Sequence, residues 1–313
     1  MLEFSYLTAH LEFNTPMELP YWMGSTFRGG FGIYLRKACC PNTNRDCHTC
    51  PQKDRCIFYH CHMKTESKHG HAPPPKPITI IPPFYGKTLS VQENGYLDID
   101  ILLLGQFAQY IPHTVLALRL LGQAGLGDKR HIGINRYTLT DIECRISKRT
   151  VYDGQTVKPQ NMKTIDIQEL KPIPTTRNLA IQFRTPFVSK TGSLPKTLDR
   201  LTWHIRQRVI HYVNEYGDTT RVPDYEIDAQ TTQINEQYCR LARRSTRSGK
   251  QEYHAHTGVI KHRIARMNRT ARWLLKTGQI IGAGPKASFG CGHIQIDNTP
   301  TKRSEPDADA GQK

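Results

Sequence analysis

Gly125-Leu126-Gly127-Asp128-Lys129-Arg130-His131-Ile132-Gly133 and Gly282-Ala283-Gly284-Pro285-Lys286-Ala287-Ser288-Phe289-Gly290 carry one pattern, G-x-G-x-K-x-x-x-G, at positions 157 residues apart. Each copy follows an apolar segment of helical period, with Val115, Leu118 and Leu121 before the first and Trp273, Leu274 and Leu275 before the second. Each precedes a strand-like run: Tyr137, Leu139 and Ile142 in one case, His293-Ile294-Gln295-Ile296 in the other. A duplicated supersecondary unit is the simplest account of a match that extends to both sides of the loop.

The openings of the two halves correspond as well. Residues 2–14 alternate, placing Leu7, Ala9, Leu11 and Phe13 on one face of a half-buried strand. Met23, Phe27, Phe31 and Leu35 then recur every four residues and predict a helix. In the second half Leu179, Ile181 and Phe183 predict a strand. Leu201, Ile205, Val209, Val213 and Tyr216 predict the helix after it, with Arg206 and Arg208 on its other face. Each half thus begins strand–helix and ends helix–glycine loop–strand, the order of a ferredoxin-like β-α-β-β-α-β unit. The expected fold is α+β, with two such domains in tandem: residues 1–172, carrying an insertion at about 39–62, and residues 173–298. The boundary falls where Lys171-Pro172-Ile173-Pro174-Thr175-Thr176 breaks regular structure. His69 to Pro83, rich in Pro and His, reads as a surface loop, and residues 299–313 as a disordered polar tail.

A length of 313 residues suits two domains, and a mean hydropathy of −0.56 with 37% hydrophobic residues suits a polar surface over modest cores. No run of eighteen apolar residues occurs, and the start lacks the basic segment and apolar block of a signal peptide. A soluble, cytoplasmic protein is expected, with no membrane partner. Net charge is +16, and from Arg240 to Lys276 there are eleven Lys or Arg against one acid, Glu252. Tyr253, His254, His256 and Trp273 interrupt that stretch with flat rings, so charge for phosphates and surfaces for bases occur together. A nucleic-acid partner is the stronger reading over a merely solvated basic face.

Six of nine cysteines crowd into Cys39 to Cys61, interleaved with His48, His60 and His62. Such crowding points to a metal rather than a disulfide framework. A Cys-x2-Cys turn supplies two zinc ligands from one tight loop, and Cys40, Cys47, Cys50 and Cys56 are the expected four. Unligated buried thiols are the alternative, and the spacing does not decide which other Cys or His of the segment could take a ligand's place. Four thiolates close the coordination shell, so the Zn2+ would be structural, not catalytic. The first helix carries Gly24, Gly29, Gly30 and Gly32, each costing roughly 1 kcal/mol against Ala in a helix interior. Close approach of another backbone or of an RNA strand is the usual compensation. Arg28, Gly32 and Arg36 share one face, so two guanidiniums flank a bare patch; two solvated arginines beside helix–sheet packing is the plainer reading. In the last loop Gly282, Gly284, Lys286 and Ser288 offer N–H groups, a charge and a hydroxyl to phosphates, while Phe289 stacks or packs.

With these residues in place, the chain resembles the CRISPR-associated repeat-processing endoribonucleases of the RAMP superfamily. The resemblance rests on Phe27-Arg28-Gly29-Gly30-Phe31-Gly32, the Cys40/Cys47/Cys50/Cys56 spacing, Phe183-Arg184-Thr185-Pro186-Phe187 and Gly258-Val259-Ile260. Its most specific part is the closing Gly278-x3-Gly282-x-Gly284-x4-Phe289-Gly290-x-Gly292, and together these span residues 1–297. The resemblance implies tandem ferredoxin-like domains, binding of CRISPR repeat RNA (pre-crRNA) as a hairpin, and one cut at its 3′ side for crRNA maturation in antiviral defence. It implies metal-independent chemistry, in which the 2′-hydroxyl attacks in line and leaves a 2′,3′-cyclic phosphate. Other CRISPR effector-complex subunits are implied partners.

Members of this family often place a histidine near the end of the first helix; here that helix has none, only Arg28, Tyr34, Arg36 and Lys37. Relatives in type IV systems rely on arginines instead. By that resemblance Arg28 and Arg36 stabilise the transition state, with His48 or Tyr34 transferring protons. Lys37, Arg206, Arg243, Arg244, Arg247, Lys261, Arg263 and Arg266 are expected to grip the hairpin backbone. A non-catalytic RAMP subunit that binds crRNA in an interference complex is the nearest rival. A zinc-finger DNA regulator is the other, disfavoured because the helix beside the cysteines is glycine-laden and apolar-faced.

Overall fold

The computed structural model describes residues 1–68, 74–91, 95–189, 192–218, 221–245 and 249–297. The expected tail and Arg247 lie outside the described residues. The first half contains β1 (Glu3–Phe13), β2 (Met17–Leu19), α1 (Gly24–Cys39), β3 (Ile78–Ile81), β4 (Leu89–Val91), β5 (Gly95–Leu104), α2 (Ile111–Ala124), β6 (Tyr137–Cys144), β7 (Arg149–Tyr152) and β8 (Ile165–Asp166). The second contains β9 (Asn178–Val188), α3 (Leu198–Tyr216), β10 (Ile227–Ser245), β11 (Gly249–Met267), α4 (Arg269–Ile281) and β12 (Ile294–Asp297).

The two principal sheets share one topology. The first runs β3-β5-β1-β6-β7, with β8 also on β1; the second runs β10-β11-β9-β12. Apart from the marginal strands, each is ordered second, third, first, fourth, and every pair is antiparallel. That is the ferredoxin-like arrangement twice over, in a mixed α/β chain of antiparallel sheets.

The alternation of β1 is realised: Leu7, Ala9, Leu11 and Phe13 are buried under α1 and α2, together with Phe27, Phe31 and Leu35. The second core joins Leu179, Ile181 and Phe183 of β9 to Leu201, Ile205 and Val209 of α3 and Leu274 and Leu275 of α4. The helices of this half start on side-chain caps, Thr197 accepting from the Arg200 N–H at 3.2 Å and Asn268 from that of Ala271 at 2.8 Å. Their partners in the repeat end alike. Gly125 caps α2 at φ 85° and Gly282 caps α4 at φ 72°; Gly127 and Gly284, then Gly133 and Gly290, also share positive φ. The duplicated pattern therefore sets the same positive-φ glycines at matching points of both loops, although Lys286 is itself left-handed and the helical turn that follows is shorter than in the first copy.

Two expectations change. Ile78–Ile81, inside the segment read as a surface loop, is the buried edge strand β3, paired with β5. Prolines flank it at 77 and 82, which an edge strand tolerates, and the β-branched run between them carries the strand. Arg208 does not lie on the outer face of α3 but is fully buried, because Ile205, Arg208, Val209 and Tyr212 form the inner stripe.

The glycines of α1 have separate reasons. A Cβ at Gly24 would overlap the Phe289 carbonyl oxygen of the second half, and one at Gly30 would meet Leu121 Cδ1 at 2.6 Å. A Cβ at Gly29 would meet nothing. Opposite signs are expected from one substitution: Gly29→Ala should stabilise by about 0.5–1 kcal/mol through helix propensity. Gly24→Ala should destabilise by about 1–3 kcal/mol through overpacking. Urea unfolding of the two variants measures both.

Candidate active site

The glycine loop after α4 leaves its own half and wedges into the other. A Cβ at Gly290 would meet Ile80 O at 3.0 Å, so this loop lies on β3 as well as on Gly24 of α1. Phe289 is the wedge. It is buried among Trp22, Leu241, Ala255 and Cys291, with Trp22 at 5.6 Å and Tyr253 at 6.4 Å between ring centroids. Two guanidiniums lie over its ring, Arg28 at 4.4 Å and Arg243 at 4.7 Å, and Lys286 lies over Tyr253 at 4.6 Å. Phe289 therefore packs; its ring is not offered to a base.

Arg208 holds the base of the loop. Its Nη1 donates to Ile281 O, and its Nη2 to Ala283 O at 2.9 Å and to Gly284 O. Burial lowers its pKa below the ordinary arginine value without removing the charge. Behind the loop His293 is fully buried and pushed down to about 3, first by burial and then by Arg208 and Arg184. It is neutral at physiological pH.

Between α1, β3, the cysteine-bearing segment and the loop lies a cleft rimmed by Arg28, His62, Lys76 and Ser288, with Phe31, Cys61, Ile78 and Ile80 as its apolar floor. His62 occupies the bare patch of α1. A Cβ at Gly32 would meet His62 Cε1 at 2.5 Å, and the imidazole stacks on Phe58 at 5.3 Å and 17°. Lys76 is half-buried and donates to Lys64 O at 3.1 Å. Burial and then the neighbouring Arg28 push its pKa down to about 8. The cleft therefore gathers an imidazole, an ammonium that gives up its proton near neutrality, a guanidinium and a hydroxyl.

The other sequence-derived candidates divide by place. Arg28 and Ser288 line the cleft, Gly282, Gly284, Lys286 and Phe289 belong to the loop that walls it, and Arg243 reaches that loop from β10 by lying over Phe289. Arg36, two turns from Arg28, is drawn into the cysteine segment, donating to Arg45 O at 2.8 Å and lying over Phe58 at 5.4 Å. His48 is exposed there and meets Tyr59 edge-on at 5.8 Å. Tyr34 packs against the first core with Lys37 over its ring at 4.9 Å. Arg206 is tied to Val222 O at 3.0 Å and Asp224 at 2.9 Å, and Arg266 to Glu226 at 2.6 Å. Arg244 pairs through its backbone with Lys250 near the β10–β11 turn. Lys261 and Arg263 are exposed on β11, ten or more residues from Gln251, which bonds Arg243. At a rise of about 3.3 Å per residue that is roughly 30 Å along the strand.

The cysteines share one region. The Cys47 thiol is raised first by burial, and Cys56, Cys40 and Cys50 add repulsion. Cys56 is pushed down to about 6, chiefly by the hydrogen bond from the Cys39 thiol. Thiols are soft donors that suit Zn2+ by type, although among the described residues no three donors are drawn into a metal-holding arrangement.

His62 and Lys76 were not singled out by sequence as acid or base. The signal for His62 was Gly32, a mid-helix glycine that demands an occupant; for Lys76 there was none, since its role comes from the fold around it.

Residues 2–164 match the family AF_1859_N, described as an N-terminal domain, and residues 179–296 match AF_1859_C, described as a C-terminal domain. An uncharacterized protein of Archaeoglobus fulgidus is 35% identical over 295 residues, 94% of this chain and 98% of that protein. Among solved structures, Thermus thermophilus Cas6 is similar over 95% of this chain and 99% of its own, at 15% identity and a TM-score of 0.52. A partial Cas6-RT-Cas1–Cas2 complex is similar over 96% of this chain and 47% of that one, at 10% identity and a TM-score of 0.52. At these identities the likeness is one of fold. No described helix is long and apolar enough to cross a membrane.

Arg208→Met keeps most of the side-chain volume and strands the carbonyls of Ile281, Ala283 and Gly284. The expected cost is about 1–3 kcal/mol, as for leaving buried acceptors without a donor, read by equilibrium denaturation. Wild-type stability would mean that the loop holds itself.

Proposed function

The chain belongs to the AF_1859 family, and from that footing we propose that it is a metal-independent endoribonuclease that cuts CRISPR repeat RNA. The observation that carries the proposal is the cleft in which Arg28, His62, Lys76 and Ser288 converge across the junction of the halves. RNA scission by its own 2′-hydroxyl needs a base for that proton, an acid for the departing oxygen and positive charge at phosphorus. His62 takes the 2′-hydroxyl proton as the new O2′–P bond forms. Lys76 gives its proton to the 5′-oxygen as the P–O5′ bond breaks, leaving a 2′,3′-cyclic phosphate and a 5′-hydroxyl. Arg28 and Ser288 hold the non-bridging oxygens. A lysine depressed to about 8 is still charged at pH 7, yet releases its proton far more readily than an ordinary one.

The hairpin backbone would lie along Arg243 and the exposed Lys286 at the mouth of the cleft. Zn2+, held by Cys40, Cys47, Cys50 and Cys56, would supply only a fold constraint, pinning the segment that delivers His62. A cytoplasmic place in crRNA maturation and antiviral defence, with CRISPR effector proteins as partners, follows from the same reading.

The test is cleavage of a labelled repeat hairpin in excess EDTA. Wild type is expected to cut once and leave a cyclic phosphate. His62→Ala should lose about 10²- to 10⁴-fold in rate, the range for removing an acid–base group, while His48→Ala should cut normally. The rate should fall with an alkaline limb near pH 8 as Lys76 loses its proton, and that limb should vanish in Lys76→Ala. Tight binding without scission by wild type would make the protein a guide-binding subunit. Normal cutting by His62→Ala would remove the assignment of the base.

A further inference from the structure

The segment after the cysteine-bearing loop is held by the opposite half of the molecule. Glu215, in the last turn of α3, is buried, with its side chain 2% exposed. Its Oε1 meets Lys64 Nζ at 2.5 Å, and its Oε2 accepts the Lys68 N–H at 3.0 Å. The next residue, Tyr216, donates its hydroxyl to Pro75 O. Lys64 O in turn accepts Lys76 Nζ at 3.1 Å. Consecutive residues of one helix thus grip both passes of the segment, the outgoing one beside His62 and the returning one beside Lys76.

We propose that the C-terminal end of α3 is a clamp by which the second half positions Lys76 in the cleft, with Glu215 as the positioning residue. The inference rests on reading the cleft as the scission site, and it adds a residue that touches neither RNA nor the reacting atoms. A buried carboxylate is costly unless it is fully paired. Among the described residues Glu215 meets that condition by fixing Lys64 and the Lys68 amide, and so it fixes the carbonyl on which Lys76 hangs. Without the clamp Lys76 keeps its surroundings but loses its registry with His62.

The charges around Lys76 give the clamp a signature beyond stability. Facing it are Arg28 from α1, Cys61 and Lys64 from the cysteine-bearing segment, and Glu215 from α3. Arg28 and Lys64 favour loss of its proton; Cys61 and Glu215 favour keeping it. Removing the Glu215 charge therefore moves the Lys76 titration to lower pH.

Single-turnover cleavage of the labelled repeat hairpin by the full chain tests this, with RNA binding and the pH profile measured beside it. Glu215→Gln is expected to bind RNA with unchanged Kd and to cut ~10- to 100-fold more slowly, as for misplacement of a reacting group. Its alkaline limb should lie at lower pH than that of wild type. Tyr216→Phe should also cut more slowly with unchanged Kd, its limb staying in place. Glu215→Gln cutting at the wild-type rate with an unmoved limb overturns the clamp. If Glu215→Gln does not fold, Tyr216→Phe decides: a wild-type rate overturns the proposal and a slowed one supports it. Wild type that binds without cutting, or Lys76→Ala that cuts normally, sinks the underlying reading instead. A cutting wild type that depends on Lys76 but not on Glu215 sinks the clamp alone.

Discussion

A guanidinium buried without a carboxylate is the constraint from which the rest of the molecule follows. Among the described residues no acid pairs with Arg208; its fork is met by the carbonyls of Ile281, Ala283 and Gly284. Burying a cation is costly, and hydrogen bonds to backbone oxygens offset that cost only if the loop keeps one shape. The loop in turn has one shape because Gly282 and Gly292 leave room where a side chain would strike Arg208 and Ala283. Held this way, it sets the Phe289 ring between Leu241 and Ala255 of its own half and Trp22 of the other, with the Phe289 carbonyl against Gly24, which has no side chain to obstruct it. That contact sets Ser288 at the cleft, while a broad apolar seam of Leu2, Phe4, Leu102 and Leu104 against the second core also joins the two halves.

The same junction explains how the positive charge is kept available. The basic stretch of β10 and β11 separates into two populations. Arg240 and Arg266 are spent on carboxylates, Glu252 at 2.5 Å and Glu226 at 2.6 Å. Arg243 of β10, and beyond that stretch Arg28 of α1 and Lys286 of the last loop, lie over the rings of Phe289 and Tyr253. A ring face orients a cation through its quadrupole without cancelling its charge. Cations held by rings therefore remain attractive to phosphate, and one of them, Arg28, is close enough to lower the proton affinity of Lys76.

What the sequence made legible follows from which forces are local. The alternation of β1 and the glycine repeat report their own surroundings, because strand period and positive φ are properties of a few consecutive residues. Arg208 was misplaced for the complementary reason: a charged residue reads as outward unless the carbonyls that receive it, more than seventy residues away, are known. β3 was hidden by its flanking prolines, since Ile78–Ile81 becomes a strand only with β5 beside it. The site was half legible. Arg28 and Ser288 belong to motifs, whereas His62 and Lys76 belong to none and are brought there by packing on Gly32 and by contacts from α3. Net charge in a stretch likewise says nothing about which members pair with acids.

The duplication explains why the cleft is built once and not twice. Both glycine loops approach the start of α1: Gly127 lies 3.6 Å, by its missing Cβ, from Thr26 Cγ2, and the Phe289 carbonyl covers Gly24. The first loop reaches α1 within its own half; the second reaches across. Where the second copy has Ala287-Ser288-Phe289, the first has Arg130-His131-Ile132, with Ile132 63% exposed and no wedge. A repeated loop thus serves as a local strap in one half and as an interdomain wedge in the other, and only the wedge closes a cleft. The difference lies in those three side chains and in the turn before them, where Lys286 adopts the left-handed conformation that only the second copy has. The glycine framework was duplicated, and chemistry was added to one copy by what that copy was placed to touch.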